Sequence, residues 1–260
     1  MIHVGIGGWT YEPWRGVFYP KGLAQARELE FASRNVTSIE INGTYYSTQK
    51  PESFRKWAKE TPDNFVFSVK AVRFATNRRV LAEAGPSIEK FVSSGITELG
   101  KKLGPILWQF MPTKKFEAAD FGAFLAALPK TQDGVKLRHA VEVRHESFVT
   151  KEFVTLVRKH NVAVVLADSA KYPMIADVTA DFVYVRLQQA QEKIVTGYSP
   201  AVIKKWGERA KAWETGGSVK DLPALSDDSK AKKRDVFIYM INGAKERAPA
   251  AAMALLKGLK

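Results

Sequence analysis

The sequence predicts an α/β protein built as one closed (β/α)₈ barrel, and two observations carry this prediction. Eight short runs of β-branched or aromatic residues recur along the chain, and segments with helical spacing separate most of them. Regular repetition of strand, helix and strand indicates parallel strands joined by crossovers. Eight such repeats within 260 residues fit a barrel of the TIM type, so residues 1–260 are predicted to form a single domain.

The predicted elements can be placed in order along the chain. The eight strands cover residues 2–6, 36–41, 65–70, 105–110, 139–143, 162–167, 182–187 and 235–241. Helical patterns cover residues 23–34, 51–60, 87–103, 117–128, 150–160, 199–215 and 246–259. Pro51 and Pro249 stand in first helical turns, where proline is tolerated because the missing amide hydrogen has no helical partner there.

Two connections depart from the regular repeat. Only residues 169–181 separate the sixth and seventh strands, and Pro173 lies among them, so we expect a shortened crossover without a full helix. Before the eighth strand, residues 214–234 are polar and charged, which predicts a surface insertion within the barrel domain.

An open, doubly wound sheet is the main alternative fold. The first strand continues into Gly5-Ile6-Gly7-Gly8-Trp9, which does not match the dinucleotide pattern G-x-G-x-x-G. The phosphate-loop pattern G-x-x-x-x-G-K-[ST] is also absent from the sequence. The sequence therefore carries no nucleotide-cofactor motif, and this favours the barrel.

The composition indicates a soluble protein of the cytoplasm. There is no cysteine, which excludes disulfides, thiolate metal sites and cysteine nucleophiles. The first residues lack the pattern of a signal peptide, and no apolar run approaches the roughly 20 residues that span a bilayer, so we expect no membrane association. The formal net charge of +13 favours an anionic small molecule or nucleic acid as partner, although basic residues also serve solubility alone.

Polar residues terminate the otherwise apolar strands at their C-terminal ends. In a closed barrel these ends meet in one mouth, where barrel enzymes hold their sites. The residues predicted to surround this mouth are Glu40, Lys70, Gln109, Glu142, Arg144, Asp168, Arg186 and Asn242.

These residue types suggest roles. Arg144, Arg186 and Lys70 offer positive charge for a phosphate or carboxylate. The carboxylates that offer acid or base chemistry are Glu142, Glu40 and Asp168. The same charges could instead satisfy one another as a buried ion network, because charged groups are almost never buried without partners.

Aromatic and histidine residues extend the candidate site. Trp9 and Tyr46 follow the first two strands and suit stacking on a base or sugar, together with polar contacts from Gln109 and Asn242. Of the four histidines only His145 lies near the mouth, so we predict no histidine-rich metal site. A hard cation such as magnesium on the carboxylates stays open.

Several blocks resemble the YecE-like family, a family of unknown function in bacteria and archaea. The blocks, in chain order, are Gly7-Gly8-Trp9-Thr10-Tyr11, Phe18-Tyr19-Pro20, Ser38-Ile39-Glu40-Ile41-Asn42, Phe65-Val66-Phe67-Ser68-Val69-Lys70, Pro105-Ile106-Leu107-Trp108-Gln109, Val141-Glu142-Val143-Arg144-His145 and Tyr184-Val185-Arg186-Leu187. They span nearly the whole chain, and the resemblance implies a TIM-type barrel but no established reaction. Where the family usually has Arg-Leu-His-Gly, this chain reads Arg186-Leu187-Gln188-Gln189, so any chemistry of that histidine would be altered here.

Three functions stay open on the sequence. The first is an enzyme, such as a hydrolase, acting on a phosphorylated or nucleic-acid-derived substrate at the mouth. The second is a non-catalytic nucleic-acid-binding module that uses the basic surface. The third is a carbohydrate-active hydrolase with Glu40 and Glu142 as paired carboxylates.

Overall fold

A computed structural model describes residues 1–226 and 231–260, and within them the chain closes into a parallel barrel. The strands are β1 (Ile2–Gly7), β2 (Ser38–Ile41), β3 (Val66–Lys70), β4 (Leu103–Gln109), β5 (Thr131–Gln132), β6 (Val135–Lys136), β7 (His139–Glu142), β8 (Ala163–Asp168), β9 (Phe182–Leu187) and β10 (Asp235–Met240). The barrel order is β1-β10-β9-β8-β7-β4-β3-β2, which confirms the predicted (β/α)₈ fold. Strands β5 and β6 form a separate antiparallel pair.

Helices pack around the barrel in a second layer. They are α1 (Glu28–Asn35), α2 (Pro51–Glu60), α3 (Arg73–Thr76), α4 (Gly85–Val92), α5 (Ala118–Ala127), α6 (Lys151–Lys159), α7 (Pro200–Thr215) and α8 (Ala248–Leu259). Helices α6 and α7 each begin after a residue whose side chain caps the helix N-terminus. The Thr150 hydroxyl accepts a hydrogen bond from Phe153 N at 3.1 Å, and the Ser199 hydroxyl accepts one from Val202 N at 3.4 Å. Among the described residues, no helix is both long and apolar enough to cross a membrane.

Two local features differ from the sequence-based expectations. The helix predicted over 87–103 ends at Val92, because Gly95 takes a left-handed φ of 100° and a 3₁₀ segment, Ile96–Lys102, follows. A side chain at Gly95 would also clash with Pro51. The hairpin β5–β6 was not predicted, although its turn residues Asp133 and Gly134, with φ of 48° and 75°, form a turn signal that the sequence displays.

The crossover from β8 to β9 contains no helix in residues 169–181, all of which are described, as the sequence predicts. This crossover is tied to the segment before β10, because the Asp177 carboxylate accepts hydrogen bonds from the Leu225 and Ser226 amides, both at 2.8 Å. The predicted insertion at 214–234 begins within the last turn of α7, and residues 227–230 of it lie outside the described residues.

The core is divided between the barrel interior and the layer between barrel and helices. The outer cluster includes Val164 and Leu166, and the interior cluster includes Leu107, Phe237 and Tyr239. Strands β1 and β2 approach so closely at Gly5 that a side chain there would overlap the backbone carbonyl of Ser38. The polar residues at the strand ends therefore stand directly above an apolar and aromatic interior.

Candidate functional site

A polar layer crosses the barrel interior just below its mouth. The Tyr184 hydroxyl donates to Glu40 Oε2 at 2.6 Å and lies 2.7 Å from Ser68 Oγ. The Tyr239 hydroxyl lies 2.7 Å from Ser38 Oγ. Burial and the neighbouring Glu40 carboxylate raise the pKa of Tyr184, so this hydroxyl stays protonated and serves as a donor.

Arg186 stands at the centre of the site and holds two carboxylates. Its Nε and Nη2 donate to the two oxygens of Glu40 at 3.1 and 2.9 Å, and its Nη1 donates to Glu142 Oε2. Glu142 Oε1 in turn accepts from Gln109 Nε2 at 3.0 Å and from Arg144 Nε at 2.6 Å. The four carboxylate oxygens thus all accept hydrogen bonds, so this is a satisfied buried network.

The charges of this network stabilise one another. Burial on its own would raise the pKa of Glu142, but Arg186 and Arg144 outweigh it and lower that pKa to about 2. Burial would likewise lower the pKa of Arg186, yet Glu142 and Glu40 raise it above its ordinary value. Glu142 and Arg186 are therefore ionised at neutral pH.

A cavity of about 530 Å³ opens above this network at the C-terminal ends of the strands. Cationic, amide and aromatic side chains share its wall. They are Lys70, Arg144, Arg186 and Lys245, then Asn42, Gln49, Gln109 and Asn242, and finally Trp9, Tyr46 and Trp57. Among the described residues that line the cavity there is no acidic side chain, because Glu40 and Glu142 lie beneath it with no exposed surface.

Lys70 ends strand β3 and reaches the cavity with only 9% of its surface exposed. Its ammonium lies 4.2 Å from the centre of the Tyr45 ring, and in the described part of the chain it makes no hydrogen bond or ion pair. Burial and the charge of Arg186 lower the pKa of Lys70 to about 8, although Glu40 and Glu142 act in the opposite direction.

Two other cations of the cavity, Arg144 and Lys245, also lie against aromatic rings. The Arg144 guanidinium lies 4.4 Å from the centre of the Tyr172 ring, and Lys245 Nζ lies 4.4 Å from that of Tyr11. Trp9 and Trp57 pack edge to face with ring centres 5.1 Å apart. Trp9 and Trp57 thus form an aromatic part of the cavity wall.

Most of the residues predicted for the mouth come together in the structure. Seven line the cavity: Trp9, Tyr46, Lys70, Gln109, Arg144, Arg186 and Asn242. Glu40 and Glu142 lie directly below it. Their carboxylates bind the arginines, so the alternative of a buried ion network describes these two residues as the structure places them.

Asp168 and His145 do not line the cavity, contrary to the sequence prediction. Asp168 follows the outward-facing Val164 and Leu166 by even steps, so its side chain belongs to the outer face of β8, where it accepts from Gln189 Nε2 at 2.6 Å. His145 Nδ1 accepts from the Ser147 amide at 3.1 Å and so begins the short 3₁₀ helix Glu146–Phe148.

Gln188, which replaces the usual family histidine, follows the end of β9. The backbone N–H of Gln188 donates to the backbone carbonyl of Asp168 at 3.0 Å, which continues the pairing of β8 and β9. Gln188 is not among the described residues that line the cavity. The replacement is therefore beside the cavity rather than in its wall.

Four groups at the site were not predicted from the sequence: Lys245, Trp57, Gln49 and the hydroxyl of Tyr184. Trp57 and Gln49 lie in or before helix α2, where no strand end marks them. Lys245 follows Asn242 by three residues in the loop after the last strand, and the loops that follow barrel strands also contribute to the mouth.

The acidic groups do not suit a resident divalent cation. In residues 1–226 and 231–260 no group of three or more histidine, cysteine or acidic side chains is placed to hold a metal ion. The carboxylate oxygens of Glu40 and Glu142 are already hydrogen-bonded, and two arginines neighbour them. A divalent cation would have to displace these positive charges.

The sequence matches one described protein family along almost its whole length. The family is described as a protein of unknown function, DUF72, and the match covers residues 3–260. The chain is 29% identical over 117 residues to UPF0759 protein YunF of Bacillus subtilis and 27% identical over 154 residues to UPF0759 protein YecE of Escherichia coli K12. The alignments span 43% and 58% of this chain but only 40% and 51% of those relatives.

Solved structures of DUF72 proteins share the fold. A crystal structure from Thermotoga maritima has a TM-score of 0.75 and 21% identity, covering 99% of this chain and 98% of that one. A crystal structure from Enterococcus faecalis has a TM-score of 0.72 and 17% identity, covering 100% and 95%. At these identities the likeness shows the barrel fold alone.

Proposed function

This chain belongs to the DUF72 family, whose function is unknown, and we propose that it is an enzyme that binds a phosphorylated, ring-bearing substrate at the barrel mouth. The YecE-like resemblance is confirmed by the family match over residues 3–260. Because the family supplies no reaction, the proposal rests on the chemistry of the site.

The proposal rests on the excess of positive charge in the cavity wall. Four cations line the cavity, whereas the two carboxylates nearest to them are buried below it. If all six groups are ionised, a formal charge of +2 remains facing the cavity. A phosphate monoester carries nearly two negative charges at neutral pH, so it would balance this excess.

Each cation has a distinct place in the proposal. Arg144 uses Nε for Glu142 and presents the rest of its guanidinium, with Lys245, to the phosphate. Arg186 is 2% exposed and bound to both carboxylates, so it supplies charge from below. Lys70, whose pKa is lowered to about 8, is the group best suited to hold or release a proton near neutral pH.

The aromatic wall and the amides favour a ring in the substrate. Trp9, Trp57 and Tyr46 provide apolar faces on which a base or sugar could stack. Asn42 and Asn242 provide donors and acceptors for hydroxyl or base edges. A nucleotide-derived molecule or a sugar phosphate meets these requirements.

The carbohydrate hydrolase is less well supported. A glycosidase needs two carboxyl groups that flank the bond to be broken. Glu40 and Glu142 have no exposed surface and are occupied by Arg186 and Arg144. We therefore assign these carboxylates to positioning the arginines rather than to reaction with substrate.

We expect phosphorylated ligands to stabilise the protein against heat. Ribose 5-phosphate or AMP at about one hundred times the dissociation constant should add about 2.7 kcal/mol to the free energy of unfolding. For a chain of this size that corresponds to roughly 5–10 °C in melting temperature. Differential scanning fluorimetry, followed by calorimetric titration, measures the effect.

Ribose and adenosine at equal concentrations are the matched ligands without phosphate, and Arg144→Ala is the matched variant. If the cavity cations bind the phosphate, ribose and adenosine should raise the melting temperature of wild type only slightly. For the same reason, Arg144→Ala should lose most of the rise in melting temperature that ribose 5-phosphate or AMP causes in wild type. Equal shifts with ribose and ribose 5-phosphate, or an undiminished shift in Arg144→Ala, would contradict the proposal.

Nucleic-acid binding is a second candidate function, and it is based on a groove beside the mouth. A cavity of about 610 Å³ is lined by Arg78, Arg79, Lys114 and Lys115, and also by Glu117 and Asp120. Arg79 and Lys115 are exposed. Such a basic groove could follow a single-stranded phosphate backbone.

Fluorescence anisotropy with a labelled single-stranded oligonucleotide tests this candidate. With four phosphate contacts, raising the salt from about 50 to about 200 mM should weaken binding by about 50-fold. Arg79→Ala with Lys115→Ala should reduce this salt dependence, whereas Lys56→Ala with Lys204→Ala, an equal loss of charge elsewhere, should not. An absence of binding at the lower salt would remove the candidate.

A further inference from the structure

Lys70 differs from the other cations of the cavity in what surrounds it. Arg144 and Arg186 are each paired with a carboxylate, whereas the Lys70 ammonium has no hydrogen-bonding or ionic partner within the described residues. Lys245 also lies on aromatic rings, but Lys70 has two arginines, Arg186 and Arg144, as neighbours. The ammonium of Lys70 is thus held where positive charge is unfavourable.

The surroundings of Lys70 increase the fraction of its neutral amine. Burial, Arg186 and Arg144 lower its pKa to about 8, while Glu40 and Glu142 raise it only in part. The face of the Tyr45 ring covers one side of Nζ. At pH 7 an amine with a pKa of about 8 is unprotonated about a tenth of the time, roughly two orders of magnitude more often than an ordinary lysine.

A buried amine beside other cations, inside a cavity that admits a ligand, has the properties of a covalent nucleophile. We propose that Lys70 forms an imine with the carbonyl group of a phosphorylated aldehyde or ketone bound in the cavity. This inference rests on the proposed function and narrows its substrate class to carbonyl compounds that carry phosphate.

The step is balanced within the site and substrate. The Lys70 ammonium first gives one proton to solvent, and the Nζ lone pair then attacks the carbonyl carbon. A C–N bond forms, the C=O π pair moves to the oxygen, and one proton passes from the nitrogen to that oxygen. The proton released at the start returns from solvent to this hydroxyl, and water leaves as the remaining nitrogen lone pair completes the C=N bond. Overall, a lysine ammonium and a carbonyl become a protonated imine and one water.

The imine would give the cavity chemistry that its buried carboxylates do not offer. A protonated imine draws electrons from the bond next to the former carbonyl carbon, so the reaction class would be cleavage or rearrangement of a C–H or C–C bond at that position. Arg144 and Lys245 line the same cavity and would hold the phosphate of the same molecule.

Reductive trapping tests the inference. The full chain is incubated at pH 7 with a limiting amount of pyridoxal 5′-phosphate, which carries an aldehyde and a phosphate on one ring, and is then reduced with borohydride. Peptide mass mapping locates the secondary amine. We expect Lys70 to be labelled about 100-fold faster than the average exposed lysine. Inorganic phosphate should protect it, and pyridoxal, which lacks phosphate, should label it more weakly.

Two variants complete the test. Lys70→Arg should remove the principal adduct while keeping the positive charge, and Lys204→Arg, which changes a lysine with an 80% exposed side chain, should leave the labelling of Lys70 as in wild type. Mapping on the wild-type chain also decides the matter if Lys70→Arg does not fold.

The two proposals fail in different ways. If phosphate compounds bind in the thermal assay but the label spreads evenly over exposed lysines, the imine is wrong and the phosphate site stands. If Lys70 is labelled selectively but neither phosphate nor ribose 5-phosphate protects it, the imine stands and the phosphate site is wrong.

Discussion

Replacing Arg186 with methionine is expected to lower the free energy of unfolding by about 3–5 kcal/mol. Arg186 is 2% exposed, and its three guanidinium nitrogens donate to Glu40 and Glu142, which have no exposed surface. Methionine fills much of the volume but leaves buried carboxylate oxygens without their cation. The melting temperature should fall by roughly 6–20 °C for a chain of this size, which scanning calorimetry would measure.

The pH dependence separates this mechanism from a simple loss of packing. The folded pKa of Glu142 is about 2, below its ordinary 4.5, so its ionisation stabilises the fold above about pH 4.5 and this stabilisation is lost as the pH falls toward 2. Without Arg186 the buried carboxyl can take up a proton instead. The deficit of Arg186→Met relative to wild type should therefore shrink between pH 5 and pH 3.

A surface arginine provides the control for this change. Arg55 pairs with Glu52 and Glu98, and the exposed fractions of these three side chains are 46%, 69% and 37%. Arg55→Met should change the stability by less than about 1 kcal/mol. An Arg186→Met protein that melts with wild type, or whose deficit is the same at pH 7 and pH 3, would show that the network does not stabilise the fold in this way.

The sequence was sufficient to predict the barrel and the main residues of its mouth, because alternation along the strands is visible there. In β9, Tyr184 and Arg186 alternate with Val183, Val185 and Leu187, so one face is polar and the other apolar. Ser38 and Glu40 share a face of β2 in the same way. When such strands are closed into a barrel, their polar faces meet inside it.

Asp168 shows where this reasoning had to fail. The residues before it in β8 are apolar on both faces, Ala163 and Val165 inside and Val164 and Leu166 outside. Alternation therefore does not tell which face turns inward, and a position at the end of the strand does not by itself place a side chain in the mouth. The pairing of Ala167 with the inward-facing Arg186 shows that Asp168 lies on the outer face.

How deeply each side chain is buried in the barrel also could not be predicted from the sequence. Glu142 and Arg144 are two residues apart at the end of the same strand, yet Glu142 lies below the cavity and Arg144 in its wall. This difference depends on Arg186 from β9 and Gln109 from β4, which are far away in the chain. Pairing across the barrel thus separates the charges that face the cavity from the charges that hold them in place.

The opposite effect on stability is expected at Lys70, where a buried charge lacks a carboxylate partner. The lowering of its pKa from 10.5 to about 8 corresponds to about 3 kcal/mol of unfavourable free energy at neutral pH. Replacement with methionine removes this penalty and also the attraction of the ammonium to the Tyr45 ring, which is of the order of 1 kcal/mol. We expect Lys70→Met to gain about 2 kcal/mol and roughly 4–8 °C in melting temperature, while losing the trapped adduct.

This gain should depend on pH in a direction that identifies its source. The folded pKa of Lys70 is lower than the unfolded one, so the folded wild type binds fewer protons between pH 8 and pH 10.5, and its stability increases through that range. Lys70→Met lacks this titration, and its advantage should be complete below pH 8 and disappear by about pH 10.5. Lys204→Met, at an 80% exposed side chain, should show neither the gain nor its loss. A Lys70→Met protein that melts below wild type at pH 7 would mean that the ammonium stabilises the fold, and the amine would then not be the neutral nucleophile that imine formation requires.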